Sequence, residues 1–292
     1  MQIQKSFKGQ SAYGKLYLVA TPIGNLDDVT FRAIQTLKEV NWIAAEDTRN
    51  TGLLLKHFDI PTKQISFHEH NAKEKIPDLI DLLKQGQDVA QVSDAGLPSI
   101  SDPGHDLVKA AILEDIAVVT VPGASAGISA LIASGLAPQP HIFYGFLPRK
   151  SGQQKQFFES KKDYPETQIF YESPHRVADT LENMIEVYGD RSVVLVRELT
   201  KIYEEYQRGH ITELLESIAE TPLKGECLLI VEGASQEVED KDEEDLFAEI
   251  QARLQQGIKK NQAIKEVAKI YKWNKSQLYA AYHEWEDNHF ND

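Results

Sequence analysis

The feature that most constrains the fold is a repeated order of short apolar runs, polar loops and amphipathic segments. Between Lys15 and Ser134, apolar residues at helical spacing follow each predicted strand. Strands that alternate with helices in this way indicate a mainly parallel sheet. Residues 14–136 are therefore predicted to form an α/β domain, preceded by a polar tail over residues 1–13. The predicted strands of this domain are residues 15–20, 42–45, 65–67, 89–92 and 117–121.

A second α/β domain is predicted for residues 137–234. Its predicted strands are residues 142–146, 168–171, 193–196 and 228–231, and its helices 153–160, 176–188 and 212–220.

The remaining chain is predicted to hold an acidic linker and a small helical domain. Residues 235–245 are rich in carboxylates, as in a solvated linker. Residues 246–292 contain three helical segments, of which the last two join through Trp273 and Asn274 in the manner of a helix-turn-helix. The lysines of these segments suit nucleic acid, and a packing or dimerisation domain is an equal alternative.

The loop from Val92 to Gly104 is the most unusual connection in the chain. It follows a predicted buried strand and contains two glycines, two prolines, three serines and two aspartates. Glycine permits close backbone approaches, and proline fixes φ. A loop of this kind at the carboxyl end of a strand is where open α/β sheets bind ligands. An ordinary turn-rich loop is the alternative interpretation.

Composition excludes several classes of protein. The single cysteine, Cys227, lies in an apolar run, so a buried thiol is predicted and no disulfide can form within one chain, which suits the cytoplasm. The longest apolar region, residues 116–137, is broken by Pro122, Gly123 and Gly127, so no membrane span is predicted. A net charge of −14 argues against a protein that coats nucleic acid over its whole surface, although a local basic patch is compatible with it.

Common cofactor and metal motifs do not account for the polar loops. The first loop, residues 21–25, has neither a dinucleotide-binding nor a P-loop pattern. His68 and His70 could share one face of a strand, but a third ligand is lacking, so no metal is predicted and zinc is a minor alternative.

Charged clusters lie at the ends of two predicted strands of the second domain. These clusters are Tyr171–Arg176 and Arg197–Lys201. Because the ends of parallel strands meet at one sheet edge, these clusters are expected to converge. A simple ion pair between Glu172 and Arg197 is the alternative.

Several motifs, in one order, resemble the tetrapyrrole methylase superfamily. This superfamily contains S-adenosylmethionine-dependent methyltransferases that have two α/β domains and a cleft between them. Within it, the chain is similar to the branch that 2′-O-methylates a decoding-centre cytidine of small-subunit ribosomal RNA. The motifs are LVATPIGNL (18–26), AAEDTR (44–49), VSDAGLPSISDPG (92–104), GFLPRK (145–150), FYESPHR (170–176), RELTK (197–201) and KGECLLIVEG (224–233).

The resemblance implies S-adenosylmethionine as the cofactor and ribosomal RNA or the assembled 30S subunit as the partner. It also implies a cytoplasmic homodimer that needs neither a metal nor a membrane. Tetrapyrrole-modifying members usually carry a G-G-D-P-type segment where this chain has Ser93–Gly96. That departure disfavours a tetrapyrrole substrate. A tetrapyrrole methylase of the same fold and a non-catalytic RNA-binding module stay open as alternatives.

Matching positions give the site that the resemblance implies. Cofactor contacts are expected at Pro22, Gly24, Asp94, Ala95, Gly96, Ala124, Ser125, Ala126, Tyr171, Leu195, Gly225 and Glu226. Glu172, His175 and Glu198 are candidate bases, and Arg197 and Lys201 candidate binders of alkoxide or phosphate. Candidate RNA contacts are Arg49, Arg149, Lys150, Arg176, Lys269, Lys272 and Lys275. The sequence does not rank the three bases.

Overall fold

The computed structural model describes residues 1–4, 12–100, 102–235, 242–271 and 273–290. Its contacts divide the chain into a larger unit, Met1–Ala234, and a smaller unit, Ser235–Asp292. Most of the predicted N-terminal tail and linker, together with Ser101 and Lys272, lies outside the described residues.

The first sheet of the larger unit has five strands in the order β3-β2-β4-β1-β5, and every pairing is parallel. The predicted parallel sheet is therefore confirmed. Its strands are β1 (Leu16–Val19), β2 (Trp42–Ala45), β3 (Lys63–Ser66), β4 (Val89–Val92) and β5 (Val118–Val121). Its helices are α1 (Phe31–Glu39), α2 (Thr48–His57), α3 (Ala72–Lys84), α4 (Gly104–Leu113) and α5 (Ala126–Ser134).

Helices cover both faces of this sheet, so its central strands are mostly apolar, and Gln91 is the buried polar residue of β4. On one face Leu16 and Val89 pack with Leu79 and Leu107, and on the other Val19 packs with Leu37. All four residues of β4 are buried, as expected for a strand in a parallel sheet that is covered on both sides. The loops at the carboxyl ends of these strands are left to carry polar groups.

The second sheet is mixed, with the order β6-β7-β10-β8-β9. Only β6 and β7 pair in parallel, and the other pairings are antiparallel. Because β7 and β8 are both antiparallel to β10, they run in the same direction and end at the same edge. The strands are β6 (His141–Phe146), β7 (Thr167–Glu172), β8 (Ser192–Arg197), β9 (Glu205–His210) and β10 (Cys227–Val231), and the helices α6 (Ser151–Glu159), α7 (Val177–Tyr188) and α8 (Ile211–Glu220).

Helix α5 connects the two sheets by packing on the second one. Its Ala130 and Leu131 are buried against Ile169, Val194 and Ile230. The helix that closes the first strand–helix series therefore forms part of the hydrophobic core of the second sheet.

The smaller unit is a helical bundle of α9 (Glu243–Gln255), α10 (Lys260–Ile270) and α11 (Lys275–Phe290). Its core includes Leu246, Ile250, Ile264, Val267 and Tyr282. Across the described ranges, no helix has the length and apolar character needed to cross a bilayer.

Candidate active site

Three loops meet at the carboxyl edge of the first sheet. They are the first loop (residues 21–25), the central loop (residues 92–104) and the third loop, which joins β5 to α5 (residues 122–125). Thr21 and Gly96 form an antiparallel bridge, in which the Thr21 N–H donates to the Gly96 carbonyl at 2.9 Å and the Gly96 N–H returns a bond at 3.1 Å. The Thr21 hydroxyl also donates to the Ser93 carbonyl at 3.1 Å. The first loop and the central loop are thus joined by backbone hydrogen bonds.

Gly96 lies where the third loop reaches the other two. Its φ of +76° is in the left-handed region. A Cβ at this position would be 3.2 Å from Cγ2 of Ile23 and 3.4 Å from the Ala124 carbonyl oxygen. The left-handed backbone and the short distances to Ile23 and Ala124 therefore favour glycine here.

The central loop is held in shape by the carboxylate of Asp102. This group accepts hydrogen bonds of 2.8 Å from the backbone N–H groups of Ser99 and Gly104 and from the buried Gln91 side chain. Ser99 itself has a φ of +69°, an unfavourable conformation that the carboxylate stabilises. Ser99, Asp102 and Gly104, which are among the residues that make this loop unusual in sequence, therefore hold its backbone in shape.

Gly104→Ala tests whether the Asp102 hydrogen bonds brace the central loop, because a Cβ at Gly104 would overlap the side-chain amide of Gln91. We expect the variant to lose about 1–3 kcal/mol of stability, as overpacked sites do, and to unfold at a lower temperature. Gly52→Ala in α2 is the control, because a Cβ there would make only an ordinary contact with Gln64. A Gly104→Ala protein that is as stable as Gly52→Ala would contradict the bracing.

Carboxylates dominate the same sheet edge. Asp94 accepts hydrogen bonds from the Asp47 N–H at 3.1 Å and from the Asn50 side chain at 3.3 Å, and its own N–H donates to Glu46. Burial, reinforced by the charge of Asp94, raises the pKa of Glu46. A cavity of about 300 Å³ opens beside this edge, lined by Thr21, Pro22, Gly24, Leu26, Asn50, Thr51, Leu53, Leu54, His57, Ser93 and Asp94.

The predicted convergence at the second sheet is confirmed by the strand register. Cys227 of β10 lies opposite Glu172 of β7 on one side and opposite Arg197 of β8 on the other. The alternative interpretation, an ion pair between Glu172 and Arg197, is wrong, because Arg197 binds Glu205 at 2.6 Å and Glu172 binds Arg176 at 3.3 Å.

The turn after β8 holds a compact group of charges. Glu198 accepts hydrogen bonds from the Glu226 N–H at 2.8 Å and from Lys201 Nζ at 3.0 Å, and Lys201 also binds the Glu226 carboxylate at 3.0 Å. The Glu226 N–H and then Lys201 lower the pKa of Glu198. Burial opposes protonation of Lys201, but hydrogen bonds to Glu226 and Glu198 still raise its pKa. Near neutral pH, Glu198 is therefore a carboxylate and Lys201 an ammonium.

The two sheet edges face each other through this turn. A Cβ at Gly24 would lie 2.7 Å from Cγ of Lys201 and 3.0 Å from the Thr200 hydroxyl. Glu198 and Thr200 have φ values of +51° and +67°, conformations that non-glycine residues adopt at an energetic cost. The strained turn of the second domain thus lies directly against the first loop of the first domain.

Comparison with known proteins identifies the family of this chain. The profile of the tetrapyrrole (corrin/porphyrin) methylases matches residues 15–215. Ribosomal RNA small subunit methyltransferase I of Streptococcus pyogenes serotype M1 is 71% identical over 97% of this chain and 100% of its own length. This chain belongs to the ribosomal RNA small subunit methyltransferase I group of the tetrapyrrole methylases. The protein of the same name from Bacillus subtilis (strain 168) is 48% identical over 96% of this chain and 98% of its own.

A solved structure shares the fold of this tetrapyrrole methylase. It is uroporphyrin-III C-methyl transferase from Thermus thermophilus complexed with S-adenyl homocysteine, with a TM-score of 0.52 and 19% identity. The match covers 75% of this chain and 97% of that one. At this level of identity the likeness establishes the fold alone.

Most of the predicted cofactor positions lie on the converging loops, and Leu195 is the exception. Its side chain is fully buried in the core on β8, where it packs with Phe170 and Leu229. Its side chain has a packing role, and the cofactor contact at this position stays a prediction. Tyr171 lies in β7, where its ring packs against Phe143 and Phe146, and burial raises its pKa.

The predicted RNA contacts fall into separate groups. Arg149 and Arg176 line a cavity at the ends of β6 and β7, and Lys150 and His175 are exposed next to them. Arg49 is exposed but bonded to Asp47, and this lowers the pKa of Asp47 to about 2. Lys269 and Lys275 are exposed in the smaller unit.

Two functional candidates escaped the sequence reasoning. Glu46 follows β2 in the AAEDTR motif, but its raised pKa depends on burial that no local pattern shows. Phe146 belongs to the GFLPRK motif and ends a predicted strand, where a phenylalanine is expected to be buried, yet it is 66% exposed. Within the described ranges, no group of three or more His, Cys, Asp or Glu residues is placed to hold a metal ion.

Cys227 is confirmed as a buried thiol, because it is 7% exposed and burial raises its pKa to about 11. At pH 8 its thiolate fraction is then roughly one in a thousand, since each unit below the pKa lowers it tenfold. We expect no reaction with a thiol reagent in the native protein and full reaction after unfolding. Stoichiometric labelling of native protein within minutes at pH 8 would show that the thiol is accessible.

Proposed function

We propose that this protein is an S-adenosylmethionine-dependent methyltransferase that modifies the ribose 2′-oxygen of a decoding-centre cytidine in small-subunit ribosomal RNA. The observation that carries the proposal is the match, over the full length, to relatives whose name states methyl transfer to small-subunit ribosomal RNA. The structure supports the proposal, because the edges of the two sheets face each other across a cleft. The first loop and the turn at Glu198–Lys201 both contribute polar residues to this cleft.

The residues of the cleft fit the cofactor. Pro22 and Gly24 of the first loop line the cavity, and small residues follow β5 at Ala124–Ala126. The carboxylate of Asp94 lines the cavity and suits a cofactor that carries positive charge. S-Adenosylmethionine supplies a methyl group on a positively charged sulfur, so no metal is needed for transfer.

Catalysis requires the ribose oxygen to lie in line with the methyl group, in a site from which water is excluded. A ribose hydroxyl is a weak acid, so a fixed positive charge beside the oxygen lowers the energy of the developing alkoxide. We assign that role to Lys201, which is protonated and held by Glu198 and Glu226. Glu198, with its lowered pKa, is a weak proton acceptor and a good anchor for Lys201. As the oxygen–carbon bond forms, the sulfur leaves as neutral S-adenosylhomocysteine and the hydroxyl proton passes to His175, the candidate base that is left.

The same proposal includes a cytoplasmic homodimer, as the family resemblance implies. Its substrate is ribosomal RNA, either as free RNA or within the 30S subunit.

The test is transfer of labelled methyl from S-adenosylmethionine to small subunits prepared from a strain that lacks this protein. Cofactor binding is measured separately by calorimetry. We expect saturable binding and label in the ribosomal RNA. Binding without RNA labelling would favour a tetrapyrrole substrate, and absence of both would favour a non-catalytic RNA-binding module.

A further inference from the structure

A second cavity opens at the ends of β6 and β7, beside the cleft. It has a volume of about 530 Å³ and is lined by Phe146, Leu147, Arg149, Glu172, Ser173 and Arg176. This volume is in the usual range for ligand pockets, about 300–1,000 Å³. Two guanidinium groups beside one cavity stand out in a chain with a net charge of −14.

Arg176 is fixed in place before any ligand arrives. One of its terminal nitrogens lies 3.3 Å from Glu172, and the other donates to the Pro148 carbonyl at 2.7 Å. Its side chain is still 28% exposed, so part of the guanidinium faces the cavity. A cation held on two sides loses little conformational freedom when an anion binds to it.

Glu172 is the buried end of a polar chain that explains this rigidity. Its side chain has no exposed surface, and it accepts hydrogen bonds from the Ser173 N–H at 2.8 Å and the Thr180 hydroxyl at 2.9 Å. Gln154 donates to Thr180 and accepts from Asn183, which joins α6 to α7 beneath the cavity. A buried carboxylate is costly unless it is paired, and here its pairing orients Arg176.

Phe146 supplies an apolar face at the same opening. It is 66% exposed, and its ring packs edge-on against Tyr171 at 5.4 Å between centroids. An exposed aromatic ring beside arginines is how proteins hold an unstacked nucleotide, with the base on the ring and the phosphate on the guanidinium.

We propose that this cavity holds one nucleotide of the RNA strand that carries the methyl acceptor. The base stacks on Phe146, and its phosphate binds Arg149 and Arg176. Glu172 is a positioning residue that acts through Arg176, rather than the proton acceptor that the sequence suggested. This inference rests on the proposed function, and it adds the substrate contacts to it.

The test uses steady-state methyl transfer to undermethylated small subunits, and the wild-type protein is measured first. Phe146→Ala is expected to raise the KM for subunits about tenfold or more, with kcat nearly unchanged, because loss of one stacking ring weakens binding of the base. Phe146→Tyr should restore the wild-type KM. Phe31→Ala is the matched control, because Phe31 is an exposed phenylalanine on α1.

Salt dependence isolates the phosphate contact. Arg176→Ala should raise KM, and it should flatten the slope of log(kcat/KM) against log salt by about 0.7, the value for one phosphate on a single strand. Arg32→Ala on the exposed face of α1 should leave the slope unchanged.

Glu172→Gln separates positioning from chemistry. As a positioning residue, Glu172 should change KM in the wild-type background and add no further effect in the Arg176→Ala background. A fall in kcat with an unchanged KM, and loss of the acidic limb of the pH profile, would make Glu172 a base and overturn the assignment.

The outcomes separate this inference from the proposed function. If the wild type transfers no methyl to subunits, the proposed function itself fails. If the wild type is active and Phe146→Ala matches it, only the nucleotide pocket is wrong. A Phe146→Ala protein with an altered sedimentation mass would place the ring in a subunit interface and would also overturn the pocket.

Discussion

Gly96→Ala should abolish most of the methyl transfer by weakening cofactor binding at the junction of the three loops. Alanine in the left-handed region costs about 1–2 kcal/mol, and the added Cβ would press on Ile23 and the Ala124 carbonyl. The first and third loops must then move apart by a few tenths of an ångström. We expect the dissociation constant for S-adenosylmethionine to rise by about tenfold or more, which corresponds to about 1.4 kcal/mol.

Gly135→Ala is the matched control for backbone strain alone. Gly135 ends α5 in the left-handed region, with a φ of +90° against +76° for Gly96, and no atom lies within 4 Å of an added Cβ in the described structure. Both variants should lose similar thermal stability, and only Gly96→Ala should lose cofactor affinity. Equal cofactor affinity in the two variants would show that the loop junction does not shape the cofactor site.

Lys201→Met should have the second large effect, on turnover. The change removes the ammonium that Glu198 and Glu226 hold against the first loop. Loss of one group that stabilises a developing oxyanion typically lowers kcat by about 10²–10³-fold. We therefore expect a fall of this size in single-turnover rate, with a much smaller change in cofactor affinity. Lys201→Arg should recover part of the rate because the charge is kept.

Lys155→Met provides the comparison for a lysine in a surface ion pair. Lys155 binds Glu186 between α6 and α7, at a partly exposed position. Such pairs contribute about 0–1 kcal/mol, so stability and turnover should stay near those of the wild type. If Lys201→Met loses cofactor affinity and turnover in equal measure, Lys201 closes the cleft and does not act on the alkoxide.

The sequence was sufficient for elements whose signal is local. All five parallel strands of the first sheet were predicted, because most of them are short apolar runs between turn residues. The polar start of β3 was missed, since the strand covers Lys63–Ser66 and the prediction covered residues 65–67. Strand β9 was missed because Glu205–His210 is polar and pairs only with β8 at the edge of the sheet. Its composition does not predict a strand, and the segment is extended because it pairs with β8.

The ion-pair partners and the pKa shifts at the site depend on contacts between residues far apart in the chain, so they could not be predicted from the sequence. The motifs identified the loops, because their glycines, prolines and short polar residues are dictated by backbone geometry. They could not show that Glu172 binds Arg176 instead of Arg197, since both arginines follow strands that end at one edge. They also could not rank the candidate bases, because the lowered pKa of Glu198 depends on a hydrogen bond from the distant Glu226 backbone.

The most direct test of the central claim is nucleoside mass spectrometry of small-subunit RNA after reaction with this protein and labelled S-adenosylmethionine. We predict a single labelled nucleoside, a cytidine of the decoding centre, with the methyl group retained on the ribose fragment. Label on a base fragment, or label absent from RNA while a tetrapyrrole accepts the methyl group, would contradict transfer to the ribose 2′-oxygen.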